Sequence, residues 1–200
     1  MYQNLTLFVL LNAALLLSGC SEEGGEEGDA PTAVVQGWHF QGRDCLACHN
    51  VDLGENKHLL VGGTLYKSQY VTPQEQDNLD TMCGGDLIIH FYDGNSPTNL
   101  IYSSKTYEDT ASKGYKAKGN LFILQRKLAL ISQGDYFVEI TDANGNVLAG
   151  KQRHSFSAQP YDSNNPQDNT NALSCNACHS TTAHSKAYPI YVDTNTSYCQ

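Results

Sequence analysis

Basic residues are scarce in this chain: 12 Lys and Arg stand against 21 Asp and Glu, a net charge of -9 over 200 residues. That deficit argues against nucleic acid as a partner and against electrostatic docking on anionic lipid, and it suits a basic partner instead. Methionine is scarcer still, with only Met1 and Met82. Long stretches of helical period are missing, and no βαβ pattern is visible. Gly, Asn, Ser and Thr are plentiful, which favours strands and loops. Met1-Tyr2-Gln3-Asn4 holds no Lys or Arg, although export signals ordinarily open with positive charge.

The next residues are nonetheless built like an export signal. Residues 5–17 are nearly all apolar and run into Leu17-Ser18-Gly19-Cys20. A run of that length ending in small residues reads as a secretory signal rather than a spanning helix. The four closing residues resemble the bacterial lipobox, which is cut before its cysteine so that Cys20 can be lipid-modified. Ser21 after it favours sorting to the outer membrane. Residues 1–19 are therefore expected to be a signal peptide, and 20–36 an acidic tether. Glu22, Glu23, Glu26, Glu27 and Asp29 lie among glycines there, where like charges repel and glycine is costly to order.

Cysteines carry the chemistry. Cys45-Leu46-Ala47-Cys48-His49 and Cys175-Asn176-Ala177-Cys178-His179 spell one pattern twice, at opposite ends of the mature chain. A four-cysteine zinc site uses such pairs and ignores the histidines. A thioredoxin-like pair needs a βαβ setting. Haem attachment uses every residue: two thiols add to the porphyrin vinyl groups, and the next histidine becomes the proximal ligand of the iron. Two copies behind an export signal predict two haem c groups, held by Cys45, Cys48, Cys175 and Cys178, with His49 and His179 on the irons. Cys83 and Cys199 are left over, and in an oxidising compartment they are expected to form a disulfide.

The sixth ligands are drawn from a short field. Met1 leaves with the signal, and outside the motifs stand His39, His58, His90, His154 and His184. Bis-histidine ligation is the economical expectation, and it implies lower potentials than His/Met ligation. His39 and His154 rank first as distal candidates, His58 next, then His184. His90, inside the strand-like Leu87-Ile88-Ile89-His90-Phe91-Tyr92, reads as structural.

Between the motifs, short runs at 61–66, 87–92, 121–124, 136–141 and 147–153 predict strands, the second β-branched and aromatic. Asp142-Ala143-Asn144-Gly145-Asn146 is a hairpin turn, since Asn-Gly tolerates positive φ. The expected fold is mainly β: a small sandwich over 60–157, flanked by two irregular or short-helical haem segments. These are 37–59, and 158–200 with its polar linker at 158–172.

The arrangement resembles a family of exported bacterial dihaem c-type cytochrome lipoproteins. In these a His-x-x-Gly-x-x-Cys-x-x-Cys-His opening leads into a Gly-Gly-Thr strand. A carboxypeptidase-regulatory-like β-sandwich follows, and a Cys-Asn-x-Cys-His motif closes the chain. His39 through His49, Gly62-Gly63-Thr64-Leu65-Tyr66, Gly119-Asn120-Leu121-Phe122-Ile123 and Cys175 through His179 carry the likeness. Thr181-Thr182-Ala183-His184 departs from it, standing where the family often runs into glycines.

The resemblance implies electron transfer in the periplasm or at the cell surface, with the sandwich as scaffold and His39 in a ligand position. Redox partner proteins, other cytochromes among them, are the expected partners. Self-association through haem stacking is open, and the lipid anchor provides the membrane contact. Two other classes compete with a non-enzymatic carrier. One is a dihaem enzyme or gas or peroxide sensor with an open iron; the other is a surface-binding sandwich with accessory haems.

Overall fold

The computed structural model describes residues 42–104, 118–125, 134–156, 174–181 and 187–199. Among them run α1 (Cys45–His49), β1 (Leu59–Tyr66), β2 (Leu87–Asp93), β3 (Ser96–Ser103), β4 (Asn120–Leu124), β5 (Gly134–Asp142), β6 (Val147–Phe156), α2 (Cys175–Cys178) and β7 (Ile190–Tyr191). The strands form a three-stranded sheet in the order β4-β1-β7 and a four-stranded sheet in the order β3-β2-β5-β6. The fold is mainly β.

Alternation places the core. Leu87, Ile89 and Phe91 on β2, and Leu121 and Ile123 on β4, point inward with period two. They meet Val61 and Leu65 of β1, Tyr136 and Ile140 of β5, and Leu148 and Phe156 of β6. Phe91 packs edge-on against Tyr136, their ring centroids 6.0 Å apart. The expected hairpin joins β5 to β6, with Gly145 at φ +85° supplying the left-handed turn.

β1 is different. Leu-Leu-Val-Gly-Gly-Thr-Leu-Tyr is buried along its whole length, as a strand covered on both faces must be. The sandwich also runs past its expected end at 157. β7 pairs in parallel with Leu65 and Tyr66 of β1, and Asp193 accepts from the Gly150 amide through both carboxylate oxygens. Cys83 and Cys199 form a disulfide that ties this C-terminal segment to the core. β3 was not expected: it is an exposed edge strand carrying Pro97, and it lacks an inward-facing apolar set. The signal, tether and Cys20, together with His39, His184 and the 158–172 linker, lie outside the described residues.

Candidate haem-binding site

Both motifs fold as short helices packed on β1. Asp44 caps α1, its Oδ1 accepting from the amides of Leu46 and Ala47 at 3.1 and 3.4 Å. Leu46 turns inward and is buried. At the other end Asn50 locks the helix to the first residue of β1. Its Nδ2 donates to the Leu59 carbonyl and its Oδ1 accepts from the Leu59 amide, each at 2.8 Å.

In α2 the residue after the first cysteine is Asn176, equally buried but polar. Its Oδ1 accepts from the Thr64 amide at 3.0 Å. Its Nδ2 donates to the Arg43 carbonyl at 2.8 Å and to Thr64 Oγ1 at 3.1 Å, and lies 3.8 Å from Cys45 Sγ. Ser174 forms a parallel bridge with Gly62, and its hydroxyl donates to the same Asp44 oxygen that caps α1. The second motif is therefore bonded directly to the first.

Two glycines make room for this. A Cβ on Gly62 would fall 2.7 Å from Cys45 Cβ, and a Cβ on Gly63 would fall 2.7 Å from Cys175 Cβ. Carbon atoms do not approach so closely without displacement. Successive positions of one strand thus receive the first cysteine of each motif.

The motif histidines are seated alike. His49 Nδ1 lies 2.9 Å from the Lys57 carbonyl, and His179 Nδ1 lies 2.8 Å from the Tyr188 carbonyl. A carbonyl only accepts, so each Nδ1 carries the proton, the tautomer of an imidazole that ligates a metal through Nε2. Burial, opposed by the Tyr188 hydrogen bond and helped by nearby His154, moves His179 below the usual imidazole range. That favours the neutral, ligating form.

Burial holds two of the thiols in the protonated form. Burial pushes Cys45 up to about 12, with Asp44 and Cys175 adding to it, and burial with Cys178 does the same for Cys175. Exchange enzymes need a lowered thiol pKa, the opposite of what burial does to Cys45 and Cys175. Among the described residues, no three His, Cys, Asp or Glu side chains converge to hold a metal ion. Cys48 departs from the expected attachment. It is disulfide-bonded, its partner outside the described residues, and one sulfur cannot hold both a disulfide and a thioether.

The distal candidates separate by geometry. His154, on β6, lies with its ring centroid 6.0 Å from that of His179 and stacks at 10° on Phe156. Its Nδ1 is fixed by the Gln152 carbonyl at 3.0 Å, leaving the lone pair on Nε2. His58 has both ring nitrogens engaged, by Gln125 Oε1 and by the Leu53 carbonyl, each at 3.1 Å. His90 is held between the hydroxyls of Ser103 and Thr141. Met82 is fully buried and bridges Tyr66 of β1.

Sequence reasoning missed the residues that join the motifs: Asp44, Thr64, Ser174 and Asn176. One signal was available, the replacement of Leu46 by Asn176 at the same place in an otherwise repeated pattern. Comparison with known proteins finds no matching family model, no matching curated protein and no matching solved structure.

Proposed function

We propose that the chain is a lipid-anchored dihaem c-type cytochrome that carries electrons outside the cytoplasm. The observation that carries this reading is the shared construction of the two motifs. In each, a one-turn helix sets the two cysteines, and the histidine that follows has Nδ1 fixed by a carbonyl of the returning loop. Haem c, when attached, supplies an iron that takes up and releases one electron. The chain's part would be to hold the porphyrins through Cys45, Cys175 and Cys178, with Cys48 joining only as the reduced thiol, to place His49 and His179 beside them, and to keep the site buried against β1.

His154 is the distal partner proposed for the second haem. The 6.0 Å between His154 and His179 supports that pairing. For the first haem His39 remains the proposed distal partner. His58 is set aside because a ligand role would break a hydrogen bond at one of its two engaged nitrogens. Cys20 is the proposed lipidation site, and the acidic tether sets the folded part away from an outer-membrane surface.

Acid–acetone extraction with a pyridine haemochrome assay and intact mass tests the reading. Two haems that resist extraction, with Cys48 recovered as a thioether, are expected. Extractable haem, bound zinc, or Cys48 recovered as a disulfide in the haem-loaded protein overturns it. Cys20→Ser should release the protein from membranes, and a wild type that is already soluble would sink the anchor.

A further inference from the structure

The contacts between the motifs bear on how the two haems stand to one another, an inference that rests on the dihaem reading. Cys45 and Cys175 pack against adjacent glycines whose Cα atoms are about 3.8 Å apart. Their Cβ atoms therefore lie no more than about 12 Å from each other along that path. Each porphyrin is bonded to its cysteine, so the two attachment edges share this neighbourhood.

The separation is also held rather than incidental. Asn176, one residue from Cys175, makes its three hydrogen bonds to Arg43 and Thr64 and stands 3.8 Å from Cys45 Sγ. Ser174, on the other side of Cys175, bonds the cap of α1. An amide so thoroughly satisfied in a buried site fixes a single arrangement, because shifting either helix would strand polar groups away from water.

We propose that Asn176, with the Ser174–Asp44 contact, is a positioning device that locks the two haem segments into one rigid pair, so that the two irons behave as an interacting couple rather than as separate carriers. Leucine at this place, as the first motif has it, would fill the space without making any of these bonds. Were both haems attached, the chemistry they would supply to such a pair is exchange of one electron, lost by one iron and gained by the other, with no proton or co-reactant required.

The test uses the full-length, haem-loaded protein and Asn176→Leu, compared by electron paramagnetic resonance in the oxidised and half-reduced states. In the wild type the oxidised signals should be broadened by their neighbour and should sharpen when one iron is reduced. Asn176→Leu should keep two covalent haems and lose the broadening. Should that variant fail to load haem, Ser174→Ala severs the Asp44 contact and should show the same loss. Unbroadened wild-type signals that do not change on half-reduction overturn the inference, as does broadening that survives in a loaded variant. Absence of covalent haem would instead overturn the functional reading beneath it, and the haem assay separates the two failures.

Discussion

Gly62→Ala probes the seat of the first motif. Gly62 has an ordinary extended backbone, so the substitution brings no conformational strain and its effect is steric alone. The new methyl would stand 2.7 Å from Cys45 Cβ and 2.9 Å from Leu46 Cδ1, where carbon contacts settle at about 3.5–4.0 Å. α1 must therefore move out by roughly 1 Å. Overpacking of this kind costs about 1–3 kcal/mol, or roughly 2–12 °C in Tm for a chain of this size. The displaced helix carries Cys45 and His49, so the first haem should change its absorption and potential while the second, seated on Gly63, changes less. Gly145→Ala is the control. A methyl there meets open space, yet the φ of +85° costs about 1–2 kcal/mol. It should lower Tm comparably and leave the haem spectrum alone. Differential scanning calorimetry and visible spectra of both variants decide the matter. A Gly62→Ala protein with wild-type Tm and spectrum would refute the packing argument.

His154→Ala should open the second iron, turning one of two low-spin haems high-spin and letting carbon monoxide bind. An unchanged spectrum in both respects would remove His154 from the ligand set. Replacing Cys83 and Cys199 together with Ser should destabilise the fold by about 4–5 kcal/mol in urea titrations, from the loop the disulfide closes. A loss under about 1 kcal/mol would show that β7 is held by its other contacts. His90 provides a pH signature. Burial, with Lys151 adding and Glu139 opposing, lowers its pKa below the ordinary 6.5, so the unfolded chain binds the proton more readily. Its contribution to stability is present above pH 6.5 and fades as pH falls below that value. His90→Gln should flatten the urea midpoint between pH 7.5 and 5.5, and an equally steep profile would exclude His90 as a source.

Local chemistry was legible in the sequence and long-range pairing was not. The β-branched and aromatic run at 87–92 and the apolar run at 121–124 marked β2 and β4, while the alternation of their burial is set by the fold. Asn144-Gly145 gave the β5–β6 turn. β3 escaped because an exposed edge strand has no buried set to alternate, and Ser-Pro-Thr-Asn reads as a loop. β7 is only two residues long and is a strand because β1 offers it an edge. Asn176 looked like a neutral filler of the motif. Its meaning depends on Arg43 and Thr64, which lie more than one hundred residues away in the chain. His58 seemed a fair ligand by spacing, since spacing does not reveal that Gln125 and Leu53 occupy its ring.

Topology explains why the same pattern stands at both ends of the chain. Each motif is followed by a loop that returns to fix its histidine, at Lys57 in one case and Tyr188 in the other, and then by a strand. Those two strands, β1 and β7, are parallel neighbours. β7 starts opposite Leu65, near the end of β1, and ahead of it Ser174 bridges Gly62 in the same parallel sense, so the second motif lies alongside β1. A parallel pair also cannot be joined by a tight turn and needs a long crossover. Here the crossover contains β2 to β6, most of the sandwich. The sandwich thus does more than separate the two Cys-x-x-Cys-His segments along the sequence. By closing a parallel pair it brings them together, where Gly62 and Gly63 admit the cysteines and Asn176 bonds one motif to the other.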